Sequence, residues 1–214
     1  MRLAAPLCLP LLLLAPTACG ASHRAEPALP AVDELTVKGR APLTGYERAA
    51  FGSGWVDVDH NGCDTRDDVL RRDLVGVRLR SGTHGCVVVA GTLHDPYTGT
   101  TVTYLRGDGP SVDIDHVVAL GDAWQKGAFR WSRRRRVELA DDPLNLLAVS
   151  ASANRQKGDG DTATWLPKNK AFRCAYVARQ VAVKKRYDLW VTAAEQAAMR
   201  RVLQRCPEQR LPTG

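Results

Sequence analysis

In the stretch Val112-Asp113-Ile114-Asp115-His116-Val117-Val118 a carboxylate stands directly beside an imidazole, and two amides follow at Asn145 and Asn154. Side chains of these types, in this order, can activate water and hold a cation. Cleaving a phosphodiester needs a base for the water, positive charge for a phosphorane-like transition state, and help for the departing oxygen. His116 is the candidate base, since an ordinary imidazole pKa of about 6.5 leaves it mostly neutral at neutral pH. Asp115 and Asn154 offer one charged and one neutral oxygen. Such hard donors suit one Mg²⁺ or Mn²⁺ better than zinc and leave the rest of an octahedron to water and phosphate. Asn145 is expected to fix the tautomer and orientation of the imidazole by a hydrogen bond. Asp113, on the same strand face as Asp115, is either a partner of the site or a solvated edge charge.

Successive strand residues point to opposite faces, so Asp115 and His116 can serve one phosphate only where their strand ends and twists into a loop. Val117 to Gly121 fits such a departure. Before the histidine, acidic and apolar residues alternate at period two, which predicts a strand with one apolar face. Leu144 to Val149 predicts a second short strand, and Ser150 can cap a helix through Asn154 and Lys157 that Gly158 stops. Strand, long loop, strand, helix is a ββα outline. Around it the sequence predicts a helix over Val69 to Leu74 and β-branched strands at 75–79, 86–93 and 100–105. Short helices are expected at 122–131 and 133–140, and a longer one from Lys168 to Tyr187. Thr192-Ala193-Ala194-Glu195 is a capping box that opens a last helix, antiparallel to the one before it. The fold class is therefore α+β, a ββα core with added strands and a C-terminal antiparallel helix pair.

Asp113 to Val118, Leu144-Asn145-Leu146 and Asn154-Arg155-Gln156-Lys157-Gly158-Asp159 together resemble the HNH (ββα-metal) endonuclease family. Their order and spacing are similar to those of the HNH domain of RNA-guided nucleases. Ala119-Leu120-Gly121-Asp122-Ala123-Trp124 and Trp165 to Ala171 extend the likeness to the secreted nucleases of actinomycetes and the DUF1524 group, over roughly Tyr46 to Cys206. The resemblance implies His116 as base, Asp115 and Asn154 as ligands of one divalent metal, and Asn145 as the residue that orients the base. It also implies products with 5′-phosphate and 3′-hydroxyl ends. Asparagine at the third motif position matches the magnesium-preferring branch. Activating water rather than a ribose hydroxyl gives no reason to demand DNA or RNA, so both are expected to be cut with little sequence preference. The competing reading is an extracellular nucleic-acid-binding protein without catalysis.

Charge is divided unevenly: residues 1–115 carry 11 basic and 14 acidic side chains, residues 116–214 carry 19 and 9. A polyanion such as nucleic acid belongs on the second part, which also speaks against a small phosphoester substrate. Arg133, Arg134, Arg135 and Arg136 are expected to clamp phosphates, with Arg155 and Lys157 touching the substrate backbone beside the metal ligand. Trp124 and Trp131 are expected to pack rather than stack on bases. Asp57-x-Asp59-x-Asn61-Gly62 with Asp68 has the outline of a Ca²⁺ loop, but lacks the closing glutamate and carries Cys63. A turn tied by a disulfide is the simpler expectation.

The first 21 residues have a minimal basic start at Arg2, an apolar run through Leu11 to Leu14 and small residues up to Ala21, the pattern of an export signal. Cleavage near Ala21 predicts a secreted protein; a lipid anchor through Cys19 on the outer face of the membrane is the alternative. Residues 22–42, rich in Ala and Pro, predict a mobile linker, 43–208 the catalytic domain and 209–214 a tail. A monomer without membrane insertion is expected. Beyond the leader remain Cys63, Cys86, Cys174 and Cys206, an even set with no Cys-x-x-Cys spacing, which predicts disulfides rather than structural zinc. A hairpin brings Cys63 near Cys86, and the antiparallel helix pair puts Cys174 and Cys206 at one end.

Overall fold

A computed structural model of the chain describes Met1, residues 25–109 and residues 111–213. The expected export segment, including Cys8 and Cys19, lies outside the described residues apart from Met1. Helix α1 (Ala28–Asp33) comes first, then a 3₁₀ turn at Arg48–Phe51. Helix α2 (Thr65–Asp73) starts where the Asp64 side chain accepts from the Asp67 N–H. Strands β1 (Leu74–Leu79), β2 (Val88–His94) and β3 (Thr101–Leu105) form an antiparallel meander in that order. Strand β4 (Val112–His116) leads into α3 (Leu120–Gln125) and α4 (Arg133–Asp141), and β5 (Leu146–Ser150) returns antiparallel to β4. Asp115 lies opposite Leu147 and His116 opposite Leu146. Helix α5 (Ala151–Lys157) follows β5 without a loop; α6 (Arg173–Tyr187) and α7 (Ala193–Leu203) complete the chain. The architecture is mixed α+β with two small antiparallel sheets and seven α-helices among the described residues.

The β4–β5 pair separates two apolar cores, which is why both of its faces are buried. Val112, Ile114, Leu146 and Ala148 pack with α2 and the three-stranded sheet, while Leu147 and Val149 face the helical core with Tyr97, Tyr176 and Val181. The period-two pattern of β4 thus sends its aliphatic residues one way and Asp113 and Asp115 the other. Between α3, α6 and α7 lies a buried ionic cluster. Lys126 Nζ meets Asp122, Asp161 and Glu195 at 2.6, 2.8 and 2.6 Å, and Lys184 Nζ meets Asp122 and Glu195 at 3.0 and 3.1 Å. Arg40 joins Asp122 and Asp161 from the edge. Three cations face three carboxylates, the balance that burial of charge demands.

Several boundaries differ from those the sequence predicts. In the expected linker, Ala28, Ala31 and Val32 are fully buried in the helical core, so α1 is part of the domain. The expected tail is engaged too: Leu211 is buried and its N–H donates to Glu26 O, because the end of the chain pairs with the segment before α1. The helix expected at 122–131 breaks at Gly127, whose φ of 134° no ordinary helix tolerates, and resumes as a 3₁₀ turn. The helix expected from Lys168 begins only at Arg173, because Asn169 first caps a 3₁₀ turn.

Both disulfides, Cys63–Cys86 and Cys174–Cys206, join the pairs that local geometry predicts, closing separations of 23 and 32 residues. Each is expected to stabilise the fold by about 3–4 kcal/mol from loop closure. The Cys63→Ser/Cys86→Ser variant should therefore unfold at a clearly lower urea concentration than the parent. An unchanged midpoint would show that the acidic loop needs no staple.

Candidate active site

His116 ends β4, and its neighbours are set by the chain on either side of it. Its Nε2 lies 2.9 Å from the carbonyl oxygen of Ala140 in α4. A carbonyl only accepts, so Nε2 carries the proton and Nδ1 keeps the lone pair. The Trp55 ring stacks on the imidazole, centroids 5.9 Å apart and planes within 10°. Burial, reinforced by the nearby Arg48 and Lys157 charges, pulls the His116 pKa down to about 3, against the Ala140 hydrogen bond. The ring is neutral above that. Because the folded value lies below the ordinary 6.5, the stability that depends on a neutral His116 is complete above pH 6.5 and lost as pH falls toward 3. With this pKa the imidazole should stay neutral from pH 7.5 to 5.5, so its ring-proton NMR shifts should not move over that range. A titration midpoint near 6.5 would contradict this.

Asp115 points to the other face. One carboxylate oxygen accepts from the Tyr97 hydroxyl and the other from Lys157 Nζ at 2.9 Å. Burial holds its carboxyl above the usual carboxylate range in spite of Lys157 and Tyr97. Tyr97 is itself raised well above its ordinary value by burial and by Asp115, so it stays a donor. It is held in place by the Asp95 carboxylate, which accepts from the Tyr97, Thr98 and Ser150 N–H groups and ties the β2–β3 turn to β5. Lys157, expected against substrate, is instead buried, and its ammonium also bonds the His116 carbonyl oxygen at 2.8 Å. It locks the strand end to α5.

Asn145 does not bond the imidazole. Its Oδ1 accepts from Val118 N–H at 2.8 Å and its Nδ2 donates to the Val118 and Leu139 carbonyls, both 3.3 Å away. The fully buried amide therefore clamps the backbone just after His116 to α4. Asn154 Nδ2 donates to Asp113 at 3.1 Å, which fixes the amide's orientation and leaves its oxygen without a hydrogen-bond partner among the described residues. Gly121 is needed nearby: a Cβ there would clash with the Asp159 carboxylate, and its N–H bonds that carboxylate.

These groups share an open cleft of about 400 Å³ lined by Asp113, Asp115, His116, Asn154 and Asp159. Arg48, Arg66 and Trp55 line it as well, and a second hollow of about 370 Å³ continues past His116 toward Ala140 and Asp141. Sequence reading missed Arg48, Trp55, Arg66 and Tyr97, because no spacing rule links them to the motif. Neither Arg48 nor Arg66 has an ion-pair partner among the described residues. Their segments are built onto the site. Arg136 donates to Ala50 O, Val56 N–H donates to Asp141, and Thr65 N–H donates to Val56 O.

The arginine run does not line the cleft. Arg136 spends its guanidinium on the carbonyls of Ala50, Ala128 and Trp131, Arg135 on Tyr187 O and Asp188, and Arg134 pairs with Glu138. Arg133 and Arg155 are exposed. In the acidic loop, Asp57 accepts from Asn61 and Gly62 N–H groups, while Asn61 bonds Asp59 and Asp68. Its polar atoms close the turn that leads to α2.

Residues 64–202 match the family described as GmrSD restriction endonucleases, C-terminal domain. The chain belongs to this family. The matched span holds Asp115, His116, Asn145, Asn154 and Arg66, and leaves out Arg48, Trp55 and most of the acidic loop. It is a nuclease-related family. A relative from Arthroderma benhamiae, described as an uncharacterized secreted protein, is 37% identical over 174 residues, covering 80% of this chain and 81% of its own. No solved structure matches the chain. Among the described residues no helix is long and apolar enough to cross a membrane.

Proposed function

We propose that the protein is an exported, metal-dependent endonuclease of the ββα type that hydrolyses DNA and RNA phosphodiesters with little sequence preference. The observation that carries this reading is the Nε2–H of His116 held by the Ala140 carbonyl, which leaves Nδ1 as the unprotonated nitrogen of a residue that lines the cleft with Asp115 and Asn154. Family membership supports nuclease chemistry. The leader-like first 21 residues, the two disulfides and the secreted relative support action outside the cytoplasm.

The residues fit a hard divalent cation. Among the described residues no three His, Cys, Asp or Glu side chains gather as a metal site, so a cation would rest on the Asp115 carboxylate, the free Asn154 oxygen and water. This all-oxygen set favours Mg²⁺ or Mn²⁺, and Lys157 against Asp115 implies modest affinity. Such an ion would supply Lewis-acid stabilisation of the pentacoordinate phosphorus and the leaving oxygen. His116 Nδ1 takes the proton from the attacking water. Trp55 and the Ala140 carbonyl keep the ring in place, and Asn145 fixes the loop that carries it. Arg48 and Arg66, on the rim, hold nonbridging phosphate oxygens. Inversion at phosphorus with loss of the 3′ oxygen leaves 5′-phosphate and 3′-hydroxyl ends.

Incubating purified protein with supercoiled plasmid tests this reading. Nicking followed by linearisation is expected with Mg²⁺ or Mn²⁺ and is expected to stop with EDTA. DNA and RNA that stay intact in every divalent metal would sink it in favour of a binding protein.

A further inference from the structure

Away from the cleft, unpaired positive charge gathers where the start of α6 meets the end of α7. There a groove of about 670 Å³ is lined by Lys170, Arg173, Arg201 and Arg205 around a floor that includes Leu166 and Val202. No carboxylate lines it. Among the described residues Lys170, Arg201 and Arg205 have no hydrogen-bond or ion-pair partner, while Arg173 is steadied by the Pro167 carbonyl. Other cations on the basic half of the chain are matched, as in the Lys126 and Lys184 cluster, or spent on carbonyls, as at Arg136; the groove gathers three unpaired ones beside Arg173. Four cations held unmatched in one hollow repel one another, and a polyanion relieves that repulsion. The groove is also stiff, because Cys174–Cys206 joins its two helices.

We infer that this groove, formed by Lys170, Arg173, Arg201 and Arg205 at the disulfide-linked ends of α6 and α7, binds a single-stranded stretch of substrate nucleic acid outside the scissile phosphate. The inference rests on the nuclease reading for its substrate. Phosphates would lie along the four cations and a base over the apolar floor. The segment after α5 connects the two surfaces: Asp159 lines the cleft and Thr162 lines the groove. Three residues span at most about 11 Å, so a strand leaving the cleft reaches the groove within a few nucleotides. Like Arg133 to Arg136, the groove lies on the more basic half of the chain.

The test uses the full chain carrying His116→Ala, to prevent cleavage, and a fluorescently labelled 20-nucleotide strand followed by anisotropy. Adding Arg201→Ala and Arg205→Ala should weaken binding about tenfold and lessen the slope of log K against log salt by about 1.4, the value for two lost phosphate contacts. The Arg201→Lys/Arg205→Lys pair should keep most of the affinity. In the chain with His116 intact, Arg201→Ala/Arg205→Ala should raise KM for long strands without changing hydrolysis of a chromogenic diester too short to reach the groove. Unchanged affinity and salt slope would overturn the proposal, whether or not the protein cleaves anything. So would millimolar inorganic phosphate competing as well as the strand, or the same substitutions abolishing binding to phosphatidylserine vesicles while strand binding persists. A protein that binds through the groove but never cleaves would refute the nuclease reading alone.

Discussion

Replacing His116 with alanine should lower the rate of plasmid cleavage by about 10²- to 10⁴-fold, the range set by losing a positioned base. Nδ1 of this cleft-lining residue is the unprotonated nitrogen, a tautomer that follows from the Ala140 carbonyl. No other histidine lines that space. Because Arg48, Arg66 and the basic groove are untouched, nucleic-acid binding by the variant should retain its affinity and salt dependence. Near-ultraviolet circular dichroism should also match the parent, which separates a lost base from a lost fold. Cleavage within a few-fold of the parent would remove His116 from the chemistry.

The largest effect on stability is expected at Glu195, far from the cleft in sequence and fully buried. It neutralises Lys126 and Lys184, both of which are wholly inaccessible. Glu195→Ala would leave two lysines and Arg40 facing only Asp122 and Asp161. Stranding a buried charge in this way costs about 3–5 kcal/mol. For a chain of this size that lowers Tm by roughly 6–20 °C, readable by differential scanning calorimetry. Removing a whole pair, Glu195→Leu with Lys184→Met, should recover much of the loss, because the remaining charges can again balance. If the double variant is no better than the single one, volume rather than charge is what the cluster supplies. The cluster also orders the segment from Asp159 to Thr162, since Asp161 is one of its members, so the single variant should lose activity at temperatures below its Tm.

Local signals carried a good part of the architecture. Alternation before His116 foretold a strand with carboxylates on one face, and Ser150 and Gly158 mark the ends of α5, because strand period and helix ends depend on neighbouring residues, although the Ser150 side chain makes no cap hydrogen bond. The Cys63–Cys86 and Cys174–Cys206 pairs were legible for a similar reason: a hairpin and an antiparallel helix pair each limit where their ends lie. Termini were harder. Ala-rich residues 28–32 look like linker until α6 and α7 offer them a surface, and Leu211 is buried only because the segment before α1 pairs beside it.

By itself, then, the sequence determined the types of reactive group, their order and the strand, strand, helix course that carries them. Tertiary structure alone decided which atoms face one another. It turned Asn145 toward the Val118 backbone, buried Lys157 against Asp115, engaged Arg135 and Arg136 in the fold, and brought Arg48, Trp55, Arg66 and Tyr97 beside Asp115 and His116. The physical reason is that a side chain's chemistry is local, whereas its partner is fixed by packing between segments distant in the chain. A lysine or arginine reads identically in sequence whether it meets solvent, a buried carboxylate or a phosphate.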